Sequence, residues 1–92
     1  DPPRPGRLRV WVTNGTRFET YTLDVLSEIR METPIGELRV LPIQQVRTAG
    51  EESIDLWLAT EYRHLPVRMR FHDRDGKVTG EQIVSEIRLS DD

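Results

Sequence analysis

The chain has 92 residues, 36% of them apolar and only 7% aromatic, with thirteen basic and sixteen acidic side chains for a net charge of −3. That length suits one domain with an aliphatic core, the interspersed charge gives no basic field to draw nucleic acid, and no apolar run is long enough to span a membrane. Cysteine is absent, which excludes disulfides and thiolate metal sites.

The opening "DPPRPG", residues 1–6, has the composition of a proline-rich linker and suggests a piece of a longer protein, with a single antiparallel β domain expected over residues 7–90. "RLRVWV" then alternates Leu8, Val10 and Val12 against Arg7, Arg9 and Trp11, the two-residue period of a half-buried strand. "NG" at Asn14 and Gly15 predicts a type I′ hairpin turn, because both central positions need positive φ; it would set Trp11 opposite Phe18 and Leu8 opposite Tyr21. From Arg17 to Glu32 one parity carries Tyr21, Leu23, Val25, Ile29 and Met31. That is long for one strand, so a bend or bulge is expected between Asp24 and Ser27. "TPIG" supplies proline and glycine for a second turn.

From Glu37 to Arg47 apolar residues occupy both parities, Leu38, Val40 and Val46 on one and Leu41 and Ile43 on the other, with Pro42 between. Pro42 cannot donate to a ladder and should mark a bulge or a position facing away from its neighbour. "TAGEES" gives a third turn, "SIDLWLA" a strand with Ile54, Leu56 and Leu58 inward, "TEYRHLP" a longer connection and "VRMRF" the next strand. For the last turn, "DRDG", a two-residue loop would place Arg68 opposite Ile83, whereas a three-residue loop with Gly76 left-handed pairs Val67 with Ile83. The second gathers Ile83, Ile87 and Leu89 with Val67, Met69 and Phe71, and burial selects it. No stretch has helical spacing. The expected fold is all-β, about six antiparallel strands in meander order, coiled into an open half-barrel or small barrel, or else meeting a partner.

Candidate chemistry is sparse. Asp73, Asp75 and Gly76 suggest a calcium loop, but aligning its glycine with Gly76 puts Phe71 and Gln82 at the first and last ligand positions; a hairpin turn accounts for them. His64 and His72 have no zinc-ligand spacing around them, and the serines lack a nucleophile context. "NGT" at Asn14–Thr16 matches a glycosylation acceptor, and the turn explains it sufficiently. The sequence therefore predicts no enzyme, no cofactor and no metal site. What remains is a face bearing Trp57, Arg68 and Arg70, with Trp11, Phe18, Arg9 and Arg39 on the same side. Arginine beside tryptophan can bind anionic or aromatic groups and is favoured at interfaces. The competing reading is that long arginine stems cover a solvated sheet face and pair across strands.

"TPIGELRVL", "IDLWLA", "LPVRMRF" and "DRDGKVTGEQIVS" together resemble the C-terminal part of an uncharacterised domain family of exported Gram-negative proteins, classed as a domain of unknown function. Pro34, Gly36, Trp57, Leu58, Ala59, Pro66, Val67, Arg68 and Gly76 carry the resemblance, over about residues 8–90. It implies a periplasmic or envelope setting, a fold similar to the curved half-barrels that carry lipoproteins there, and family members longer at the N-terminus. It implies no catalytic residue. The expected function is a non-enzymatic envelope domain holding a lipid or acyl chain on a concave face lined by Leu23, Val25, Leu56, Leu58, Met69, Phe71 and Ile87. The alternative is a protein-interaction or structural module that uses sheet edges and the Trp57 and Arg68 face, with an envelope protein or a second copy as partner.

Overall fold

The computed structural model describes residues 6–88, without the side chains of Asn14, Arg17 and Phe18. The expected linker up to Pro5, the place of Leu89 and the side-chain part of Phe18 lie outside the described residues. Seven strands, β1 (Gly6–Asn14), β2 (Arg17–Val25), β3 (Ile29–Thr33), β4 (Gly36–Gln45), β5 (Ser53–Ala59), β6 (Leu65–His72) and β7 (Val78–Ile83), form one antiparallel sheet. Each lies beside its sequence neighbour, except that β2 and β3 share one side of β4. No α-helix occurs among the described residues, and β1 and β7 do not pair, so the sheet is open rather than a closed barrel.

The seventh strand comes from the long second run, which breaks at Leu26–Glu28. Four steps along the chain from Val25 to Ile29 face only three from Ile43 to Val40. The expected irregularity is there, but its extra residue also corrects the single parity read from the sequence. Tyr21, Leu23 and Val25 point to one face of the sheet, and Ile29 and Met31 point to the other. Pro42 lies opposite this break. Its carbonyl accepts from the Leu26 N–H at 2.9 Å, and no ladder bond is lost to its missing donor.

Two further bulges re-sort the faces. Trp57 pairs with Arg68 but Leu58 pairs with Pro66, which leaves Val67 as the extra residue on β6. Val67 therefore turns to the same face as Trp57 and Arg68, not to that of Met69 and Phe71 as the alternation predicts. In the last hairpin Gly76 takes φ +85° and Asp73 N–H bonds Lys77 O at 2.8 Å, which matches the expected three-residue loop. Thr79 is then extra on β7, since Phe71 pairs with Gly80 and His72 with Val78. The register beyond it becomes Arg68 opposite Ile83, the pairing that the sequence reading set aside. The first hairpin also departs from expectation: Gly15 (φ +65°) and Thr16 form the turn, with Asn14 pairing Arg17, Trp11 opposite Thr20 and Leu8 opposite Leu23. Glycine at the first central position suits a type II′ turn. This register differs from the expected one by two residues, so every side chain keeps its face.

The result is a sheet with two unlike sides. On the core side Leu38, Val40, Pro42, Ala59 and Val67 are buried, with Met31, Ile35, Trp57, Tyr62, Val84 and Ile87 packed against the cluster. The Val84 N–H holds the segment after β7 in place through Val67 O at 2.7 Å. On the open side lie Leu23 and Val25 from β2, Leu41 and Ile43 from β4, Ile54, Leu56 and Leu58 from β5, and Met69 and Phe71 from β6. None of these is buried.

Candidate functional site

The residues singled out in the sequence divide between the two faces. Trp57, Arg68 and Arg70 meet on the core side, because Trp57 pairs with Arg68 and Asp55 with Arg70 across β5 and β6. The guanidinium carbons of Arg68 and Arg70 lie 4.8 and 5.4 Å from the Trp57 ring centre, within cation–π range. Both arginines converge on Glu81 of β7, at 2.9 and 2.8 Å. Arg68 also reaches the Met31 sulfur at 3.8 Å. The hydrogen bond from Arg70 holds the Glu81 carboxyl below its ordinary range; burial opposes this and the Arg68 bond reinforces it. Glu81 was not visible as a member from the sequence, because its place opposite Arg70 depends on the Thr79 bulge. The cluster is bonded internally except at Arg68 Nε, which is buried without a partner among the described residues, and it is continuous with the buried core through Trp57. Arg9 and Trp11 share its parity but lie on the distant β1, and Arg39 sits on the open side opposite Arg30.

Leu56, Leu58, Met69 and Phe71 lie together on the open side, with Leu56 opposite both Ile43 and Met69. Leu23 and Val25 join them. Ile87 does not: it packs against the buried cluster on the other side, since the segment carrying it returns to Val67 after the bulge. A groove of about 430 Å³ opens on this face, lined chiefly by Val10, Tyr21, Leu23, Ile54 and Phe71. Gln45 closes one end, its side-chain oxygen accepting from the Ile54 N–H at 3.0 Å. Val10 and Tyr21 were missed as lining residues, although the parity of β1 and β2 was available to identify them.

Beside the groove, sharing Tyr21, Gln45 and Glu52 with it, is a polar hollow of about 440 Å³ that also takes in Glu19 and Glu51. The Tyr21 hydroxyl donates to the Glu19 carboxylate. That bond first, and the negative charge of Glu19 next, push the phenol above its usual value. The groove is therefore apolar along its length and acidic at one end.

Among the described residues, the arrangement closest to catalytic machinery is Ser53, His72 and Asp55. Ser53 pairs with His72 across the strands, and His72 Nε2 lies 2.9 Å from an Asp55 oxygen. The other ring nitrogen faces Gly76 O at 3.4 Å. Both of these partners are acceptors, and no hydrogen bond joins His72 to the Ser53 hydroxyl, so the nucleophile–base contact of a triad is not formed. The Asp73 side chain accepts from the Asp75 and Lys77 N–H groups at 2.8 and 2.9 Å, the work of a turn residue. Among the described residues no group of three or more His, Cys, Asp or Glu converges as a metal site, and no helix is long and apolar enough to cross a membrane.

No curated protein and no solved structure matches the chain. A family model matches residues 6–82, from the start of β1 nearly to the end of β7. This is most of the chain and all but the last residue of the sheet that carries both faces, and the chain belongs to that family, described as protein of unknown function (DUF3108).

Proposed function

We propose that this domain is a non-enzymatic binding module that holds an apolar ligand, a lipid or acyl chain, against the open face of its sheet. One observation carries the reading: the described core is built entirely on one side, and the other side presents nine aliphatic, methionine and phenylalanine positions from four strands with none of them buried. A half-buried apolar face of that extent with nothing packed over it fits an interaction site. The groove of about 430 Å³ falls within the size range of small-molecule sites. Further coiling of the sheet toward a half-barrel would wrap this face around a chain-like ligand. The envelope or periplasmic setting belongs to the same proposal and rests on the resemblance of "TPIGELRVL" through "DRDGKVTGEQIVS" to exported domains.

Titration with a fluorescent medium-chain fatty acid tests the reading. Saturable binding is expected, weakened at least about tenfold by Leu56→Lys, which plants a charge in the middle of the face, and unchanged by Glu61→Gln on the connection between β5 and β6. No saturable binding, or equal binding by the Leu56→Lys protein when its circular dichroism is native, overturns it. A protein-interaction role is the second reading, and the bare outer edge of β1 favours it, because an unpaired edge is a template for another chain.

A further inference from the structure

β1 is an unusual edge. Nine residues long, it contains no proline or bulge among Gly6–Asn14, and of its two charged side chains Arg7 is already paired with Asp24 within the hairpin, which leaves Arg9, among the described residues, as the one free charge to guard the edge from other strands. Leu8, Val10, Trp11 and Val12 are all exposed, Trp11 at 70%. Of the other free edges, β7 has only six residues, with Gly80 in its interior, and β3, which pairs with β4 alone, has five. At its far end the reach of β1 is bounded by the turn at Gly15 and Thr16.

The backbone direction follows from the hairpin. Asn14 and Arg17 flank a two-residue turn and so form its closing hydrogen-bonded pair, and such pairs recur at every second position. Leu8, Val10 and Val12 therefore bond inward to β2, while Arg7, Arg9, Trp11 and Thr13 direct their N–H and C=O groups away from the sheet. Thr22, opposite Arg9, turns its carbonyl to the far side of β2, where it accepts from the Val46 N–H at 2.8 Å, as this alternation requires.

We propose that two copies of the chain join through β1, antiparallel, with Val10 of each on the twofold axis. This register pairs all nine residues of the strand and uses the outward backbone groups: Arg9 exchanges bonds with Trp11 of the other copy, and Arg7 with Thr13. Each arginine at position 9 then stands across from a tryptophan, a favourable cross-strand pair. Centring on Arg9 instead would set two guanidinium groups face to face, which costs stability, and centring on Trp11 would leave Gly6 and Arg7 unpaired. In the Val10 register Leu8 faces Val12, and the two open apolar faces become one continuous surface. The twofold operation makes the contact closed and self-complementary. The inference stands on β1 alone, so its failure would leave the ligand reading intact.

The chain has no cysteine, so introduced thiols report the register cleanly. Val10→Cys is expected to form an interchain disulfide nearly completely in a glutathione buffer, since facing residues of a non-hydrogen-bonded pair have Cα atoms about 4.5 Å apart. Val12→Cys is expected to stay unlinked, its copies lying roughly 13 Å apart along the strand. The double variant Leu8→Cys with Val12→Cys should link again. Light scattering of the unmodified protein should give twice the chain mass at micromolar concentration. A monomeric mass, a dimer that Val10→Cys does not link, or linking at Val12 as fast as at Val10 each overturns the proposal.

Discussion

Val40 has no exposed surface, and it packs among Leu38, Ala59 and Val67. Leu56, on the other side of the sheet, keeps part of its surface in water. Removing two methyl groups from Val40 leaves a hole among closely packed neighbours that can relax only in part, so Val40→Ala should cost roughly 2 kcal/mol. Leu56→Ala removes more atoms but should cost less than half as much, because the lost surface was not fully dry. Urea denaturation of the two variants checks the ranking. That ranking was not legible in the sequence: β4 is apolar on both parities, and which one is buried depends on what crosses each face, not on alternation. The Glu81 carboxyl makes a second case. Its value in the folded protein lies below the ordinary one, so its contribution is complete above the ordinary value and is lost as pH falls through the lowered one. Asp24, held low by Arg7, acts in the same direction. Between about pH 5 and pH 3 the denaturation midpoint of the unmodified protein should therefore decline, and Glu81→Gln should flatten part of that decline. An unaltered slope would mean that the two arginines gain nothing from the charge.

Elements were easier to read than residues. β5 occupies the stretch "SIDLWLA" as expected from its period, and the turns at Gly36 and Gly76 fall where glycine can take positive φ, at +113° and +85°. Two of the three bulges, at Val67 and Thr79, were not legible in position. One extra residue, at Leu26–Glu28, Val67 or Thr79, leaves composition and alternation almost untouched while exchanging the faces of everything beyond it. Only the break near Ser27 had a signal, the excessive length of its run. The connection between β5 and β6 hid its geometry for a related reason. Arg63 and His64 both adopt left-handed φ, 56° and 61°, behind a short 3₁₀ turn, Thr60–Tyr62, although neither is glycine or asparagine. The His64 N–H closes the connection on Ala59 O at 2.9 Å. A side chain with a Cβ pays about 1–2 kcal/mol for that conformation, partly offset by the freedom glycine loses on folding. His64→Gly should thus raise the thermal midpoint, with a net gain of up to about 1 kcal/mol. A lower midpoint would show that the imidazole contributes something the backbone cost conceals.

At the scale of the whole molecule, the antiparallel sheet in chain order follows from two-residue periodicity and turn chemistry, and both faces had been sensed as different in kind. What sequence could not supply was which apolar set becomes the core, since Ile87 and Val67 were assigned to the wrong side by the bulges just described. The division of labour between the faces has a thermodynamic corollary. Folding free energy is drawn most, per residue, from the side holding Val40, and the half-buried residues of the opposite surface add smaller shares. Leu41, Ile54 and Met69 can accordingly be exchanged for other apolar residues at less cost to the scaffold than Val40. Selectivity for a guest can drift by substitution there without compensating changes elsewhere, and any guest that does bind adds its own increment to the melting temperature.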